Sequence, residues 1–175
     1  MFGTTLKIST NTLRSVFSYA NQIQDIEAVL LDAVRWLTSI NKRAWSEEDV
    51  AWHTLSQTHT IDQFYVVEEK GEVVATFLLC DADPIYWPEI KPGQSLYIHK
   101  LCVMRKAAKS MASQMIMDYF KAEGRRLKKD ACRLDCRTNK PELKHFYEKH
   151  GFQLVDEGEI VKGYCTSRYM YQLDD

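Results

Sequence analysis

The order of elements legible in this chain predicts an α/β fold: one domain, built on a mixed sheet with helices on both faces. Three observations carry that prediction. Ile23, Ile26, Leu30, Val34 and Leu37 recur at three- and four-residue steps, the spacing of an amphipathic helix. Apolar-rich runs at 64–69 and 73–80 flank Lys70-Gly71, a hairpin signature. A third stretch runs from strand LYIHKLCV (96–103) through basic loop MRKAAKSM (104–111) into a helix, then strand ACRLDC (131–136) and a helix ending FYEKHGF (146–152).

Taken in order, residues 1–12 are rich in Thr, Ser and Asn and read as a loose lead-in. Leu13–Tyr19 alternates imperfectly and is a weak first strand. The periodic segment predicts a helix from Ile23 to Asn41. Ser46 followed by Glu47, Glu48 and Asp49 is an N-cap with an acidic first turn, opening a second helix to about Gln57. The stretch 83–93 holds Pro84, Pro88 and Pro92 and is a loop. A pair of strands over 152–157 and 164–172 closes the chain. No repeat, low-complexity tract or Pro/Gly-rich linker divides it, so residues 1–175 are expected to form a single domain.

Composition narrows the function classes. A net charge of −1 supplies no overall field for nucleic acid or a membrane surface. The basic run Lys121, Arg125, Arg126, Lys128 and Lys129 ends a helix, where cations complement the dipole, so no nucleic-acid partner is expected. No apolar run reaches transmembrane length, and MFGTTLKIST lacks a signal-peptide core. The five cysteines lie mostly in expected strands and read as free thiols in a reducing cytoplasm. Cys132 and Cys136 fall on one strand face about 13 Å apart, a spacing that suits neither a disulfide nor a metal. No metal is expected.

The chemistry concentrates at 96–152. A loop passing from a buried strand into a helix presents amide hydrogens without intrahelical partners to an anion. Arg105, Lys106 and Lys109 add cations there. Tyr147 lies one position from Phe146, which is expected in the core, and so faces another way. His99 and Lys100 interrupt an apolar strand. The plain reading is a satisfied histidine and a strand-end lysine; the functional one makes His99 a base, or a relay to one, for an amine that must lose a proton. Asp135 could pair with either. Trp36, Trp45, Trp52, Tyr86 and Trp87, near Glu47, Glu48 and Asp49, could accept a cationic amine or could simply pack.

These residues resemble the GNAT superfamily of acetyl-CoA-dependent N-acetyltransferases, small-molecule subgroup. The matching segments are Tyr97-Ile98-His99-Lys100-Leu101-Cys102-Val103, Leu134-Asp135-Cys136 and Phe146-Tyr147-Glu148-Lys149-His150-Gly151-Phe152, within a likeness running from about Ser18 to the C-terminus. The resemblance implies a mostly antiparallel central sheet of about six or seven strands. It also implies acetyl transfer from acetyl-CoA to a primary amine of a small molecule or peptide, by direct attack in a ternary complex.

By the same resemblance Tyr147 protonates the departing thiolate, a backbone N–H within Leu101–Val103 (Leu101, Cys102 or Val103) polarises the thioester carbonyl, and Arg105, Lys106, Ala108, Lys109, Ser110, Met111 and Ala112 hold the pyrophosphate. Asn139 is a further contact to the CoA arm, or a helix cap. Family members often form homodimers. The family loop carries glycines where this chain has Lys109 and Met111. The alternative reading is therefore a catalytically weak or inactive GNAT-fold module that binds a ligand or partner.

Overall fold

In a computed structural model, residues 15–19, 22–42 and 44–173 are described; the expected lead-in at 1–12 lies outside them. They form β1 (Ser15–Tyr19), α1 (Ile23–Ser39), α2 (Glu47–Val50), α3 (Trp52–Leu55), β2 (Phe64–Glu69), β3 (Glu72–Cys80), β4 (Ser95–Val103), α4 (Ala112–Arg126), β5 (Ala131–Arg137), α5 (Pro141–Lys149), β6 (Gln153–Val161) and β7 (Tyr164–Gln172). The α/β class follows. Two compact units share these elements: residues up to Leu78 with Lys100–Met115, and Leu79–His99 with Ile116 onward.

In the first unit β1, β2 and β3 pair antiparallel. The hairpin turn is as expected, with Lys70 at φ 56° and Gly71 at φ 82°, the two positive values a two-residue turn of this hand requires. The expected periodic face of α1 is the buried one: Ile26, Val29, Leu30, Ala33 and Val34 close over Val50, Leu55, Phe64, Val66, Leu78 and Cys102. Trp45 and Trp52 flank this core.

The capping box at Ser46 forms, its hydroxyl accepting from Asp49 N–H (3.2 Å) while Asp49 carboxylate accepts from Ser46 N–H (2.7 Å). A cap of this kind stabilises a helix start by about 1 kcal/mol. The expected single helix to Gln57 is broken, however. Ala51 is extended (φ −69°, ψ 142°), dividing it into α2 and α3. The break turns Trp52 N–H onto the Glu27 carboxylate at 2.8 Å, a bond an unbroken helix would deny it.

In the second unit β4 pairs parallel with β5, and β5–β7 and β7–β6 are antiparallel. Cys132, Leu134 and Cys136 share one face of β5 with Tyr169 and Tyr171 opposite them on β7. Both helices lie on that face. Cys132 thiol donates to Phe120 carbonyl in α4 (3.5 Å), and Tyr147 in α5 meets the Tyr169 ring at 5.9 Å. Gly124 is required here, because a Cβ would stand 2.7 Å from both Cys132 Sγ and Leu173 Cδ1.

Helix α5 ends as its sequence suggests. Gly151 takes φ 85°, its N–H bonds Glu148 carbonyl, and Phe152 N–H reaches back to Tyr147 carbonyl. Its start differs from the expectation, since Lys140 rather than Asn139 occupies the N-cap. Strand β6 also runs to Val161, beyond the expected end at 157, because Lys162-Gly163 places the reversal later.

Candidate active site

The parallel β4–β5 ladder is short: Ser95, Leu96 and Tyr97 face Ala131, Cys132 and Arg133, and the register ends there. β5 continues to Arg137 in its ladder with β7. Three residues past the last β4 pair, Lys100 takes φ 52°, a left-handed conformation that costs a non-glycine residue about 1 kcal/mol or more. The ladder has already stopped at Tyr97 and Arg133, and polar side chains follow those residues on both strands.

His99 is central among them. Its Nε2 lies 3.4 Å from Asp83 Oδ2 and its Nδ1 4.0 Å from Asp135 Oδ1. The imidazole is about a quarter exposed at 23%, whereas the carboxylates are enclosed, at 6% and 13%. Asp83 is fixed from the loop, where its Oδ1 accepts from Ile85 N–H (3.2 Å) and Tyr86 N–H (3.0 Å). Asp135 Oδ1 has no hydrogen-bond partner among the described residues. Burial first, and the neighbouring Asp83 charge second, push its carboxyl up to about 7. Each carboxylate faces a different ring nitrogen. The imidazole thus sits between two carboxylates, and one ligand atom from each of Asp83, His99 and Asp135 lies within 4.8 Å of the others, a group that could also hold a metal ion.

Around the trio stand Tyr86, pushed up to about 12 mainly by burial, and Arg137, whose guanidinium stacks on Tyr164 at 3.9 Å. Arg168 is committed elsewhere, to Asp156 (2.7 and 2.5 Å), Glu89 (2.7 Å) and Tyr86 carbonyl (2.8 Å). Trp87, 1% exposed, lies between Arg133 and Arg168 at 4.7 and 4.5 Å.

The basic loop belongs to the first unit. Arg105–Ala107 forms a 3-10 turn and α4 starts at Ala112. Two of its cations are occupied: the Arg105 guanidinium lies over Trp36 (4.7 Å) and Lys106 pairs with Glu72 (2.5 Å). Lys109 and Met111 turn their side chains outward. Among the described residues the backbone N–H groups of Lys109, Met111 and Ser113 have no acceptor within the chain, while Ala112 N–H is taken by Ser110 Oγ (3.2 Å). Ala108 is exposed and Ala112 fully buried.

Tyr147 is half-buried, its ring 5.6 Å from Phe146 and 5.9 Å from Tyr169. Phe146, expected in the core, is itself only half-buried. Asn139 is exposed. Cys102 is buried, Leu101 and Val103 half-buried, and burial pushes the Cys102 and Cys136 thiols up to about 12. Neither thiol is a thiolate near neutral pH, so neither is suited to carry an acyl group.

The aromatic and acidic residues considered for an amine pocket have other work. Glu47 pairs with Arg35, Glu48 with His53, Asp49 closes the capping box, and Trp45, Trp52 and Trp87 pack. Asp83 and Arg137 went unnoticed in the sequence. A signal for Arg137 was present: Arg133, Asp135 and Arg137 place three charges on one face of an otherwise apolar strand.

The acetyltransferase (GNAT) domain model matches residues 60–154. The chain is 24% identical over 174 residues to the uncharacterized N-acetyltransferase YesJ of Bacillus subtilis, covering 92% of this chain and 94% of that protein. It superposes on a GNAT-family acetyltransferase from Listeria monocytogenes with TM-score 0.76 at 20% identity, over 96% of this chain and all of that one. The structure of yncA from Salmonella typhimurium with its cofactor acetyl-CoA matches at TM-score 0.59 and 16% identity, over 92% of this chain and 95% of that one. With more than half its length matched by the domain model, the chain belongs to the GNAT acetyltransferase family.

Proposed function

We propose that this chain, acting as one domain, moves an acetyl group from acetyl-CoA to a primary amine of a small molecule or peptide, by direct attack in a ternary complex. The observation that carries the reading is the early end of the β4–β5 ladder beside His99. A parallel ladder that stops after three pairs leaves β5 beyond Arg133 without β4 partners on that edge, the setting an extended thioester arm needs.

Each group has a role in that reading. The free amides of Lys109, Met111 and Ser113 hold the pyrophosphate, with Arg105, Lys106 and Lys109 adding charge and Ala108, Ser110 and Ala112 shaping the turn. A backbone N–H within Leu101–Val103 polarises the thioester carbonyl, a contact worth about 3–4 kcal/mol in comparable sites. His99 takes the amine proton, and the neighbouring Asp83 and Asp135 carboxylates favour the imidazolium. Tyr147 returns a proton to the thiolate of CoA. The bond from sulfur to the acetyl carbon breaks as the bond from nitrogen forms. Asn139 is a contact to the CoA arm. The protein acts in the cytoplasm, without metal or nucleic-acid partners, and is open to homodimer formation.

Thermal-shift titration with acetyl-CoA tests the binding, since a ligand of the native state raises the melting point. Release of free thiol with an amine panel tests the chemistry. Tyr147→Phe is expected to cut turnover roughly tenfold or more while leaving the acetyl-CoA shift in place; an unchanged rate removes Tyr147 from the mechanism. The side chains at Lys109 and Met111, where the family loop is expected to carry glycine, favour a second reading as a non-catalytic ligand-binding module. No shift at millimolar acetyl-CoA or CoA would select it.

A further inference from the structure

We propose that Arg137 binds a carboxylate on the acceptor, so that the amine acetylated here belongs to an amino-acid-like molecule; this rests on the acetyl-transfer reading above. Three arginines project from the same face of β5 and β7, and two are satisfied within the chain. Arg168 holds Asp156, Glu89 and Tyr86 carbonyl, and Arg133 donates to Ser95 Oγ at 3.0 Å. Arg137 differs. Among the described residues its guanidinium makes no hydrogen bond or ion pair, and its Nε is buried without a partner.

A guanidinium in that condition is costly unless something pairs with it. Its orientation is nevertheless fixed, because it stacks on the Tyr164 ring at 3.9 Å. A planar fork held flat by an aromatic face suits bidentate binding of a carboxylate. Thr166, directly opposite Arg137 in the β5–β7 register, is buried and its hydroxyl likewise has no partner. It supplies a further donor at the same spot.

The surroundings name the rest of the ligand. Asp135 lies two residues before Arg137 on the same face, about 7 Å away along the strand. Its Oδ1 is buried without a hydrogen-bond partner and faces His99, as does Asp83 Oδ2 from the loop. Negative groups at one end and a cation with a hydroxyl at the other match a molecule with an amine and a carboxylate. Both Asp135 and Arg137 lie past the last rung of the β4–β5 ladder.

The experiment pairs amino acids with the amines left when their carboxyl group is removed: lysine with cadaverine, phenylalanine with phenethylamine. With the full-length protein and acetyl-CoA, at least one amino acid is expected to exceed its amine by roughly tenfold or more in kcat/KM, and Arg137→Gln to bring that ratio toward one. Arg137→Lys, which keeps charge but loses the fork, should give an intermediate ratio. Amines acetylated as well as acids, or a ratio unmoved in Arg137→Gln, would overturn the proposal while leaving acetyl transfer intact. Phosphoethanolamine outperforming every amino acid would overturn the carboxylate assignment.

A readout free of catalysis separates the two proposals. The Arg137 Nε–H resonance should move when the preferred amino acid is titrated in and stay still with its amine. A resonance indifferent to all the amino acids sinks the Arg137 site whether or not the chain transfers acetyl groups.

Discussion

Asp135→Asn should gain stability relative to wild type as the solution becomes more alkaline, a consequence of the enclosed carboxyl rather than of any lost contact. The native carboxyl ionises near 7 and its free counterpart near 3.8. With the folded value raised, the stability Asp135 contributes is complete below about 3.8 and is lost as pH climbs to 7. Each unit of separation is worth about 1.4 kcal/mol, so roughly 3 kcal/mol disappears between about pH 5 and about pH 8. Asparagine keeps the shape and cannot ionise, so that loss is absent in the variant.

Urea unfolding of both proteins at those two pH values measures it. The difference between variant and wild type should grow in the variant's favour by roughly 3 kcal/mol from the acid to the alkaline condition, or roughly 6–12 °C in melting temperature. Titrating groups remote from Asp135 are common to both proteins and cancel in the comparison. A difference that stays constant across the range would mean that Asp135 is already ionised at pH 5, and the argument from its enclosure would fall.

Two further predictions concern packing. Gly124→Ala should destabilise by about 1–3 kcal/mol, because crowding against Cys132 and Leu173 outweighs the gain of about 0.5–1 kcal/mol in helix propensity; denaturant midpoints decide the sign. Trp87→Ala should cost about 3–5 kcal/mol, since it empties a fully enclosed site between two guanidinium groups; an unfolding midpoint within error of wild type would contradict this.

Local signals in the sequence translated well where local physics decides. The face of α1, the Ser46 N-cap, the Lys70-Gly71 turn and the end of α5 within FYEKHGF each need only neighbours in the chain. The misreadings share the opposite character. Ala51 breaks a helix because Glu27, far back in sequence, offers Trp52 N–H an acceptor. Phe146 is only half-buried, although an aromatic on an amphipathic helix was expected inside.

The candidate site divides the same way. His99 and Asp135 were visible as polar interruptions of apolar strands. Asp83 was not, because a loop aspartate before proline reads as a turn residue, and its approach to His99 depends on how the loop lies over the sheet. Arg137 was missed for a different reason. Its place beside Arg133 and Asp135 on one face of β5 is legible in the sequence, but that its Nε lacks a hydrogen-bond partner among the described residues depends on contacts from elsewhere in the fold.

The loop between β3 and β4 carries a practical consequence. Fourteen residues with three prolines would usually be the place to insert a tag, a linker or a cleavage site. Here Trp87 lies inside, Asp83 carbonyl accepts from Trp87 N–H at 2.9 Å, and Lys129 reaches the Gly93 carbonyl at 2.7 Å. Anyone engineering this chain should treat 81–94 as part of its frame and place insertions at the exposed Lys162-Gly163 reversal instead.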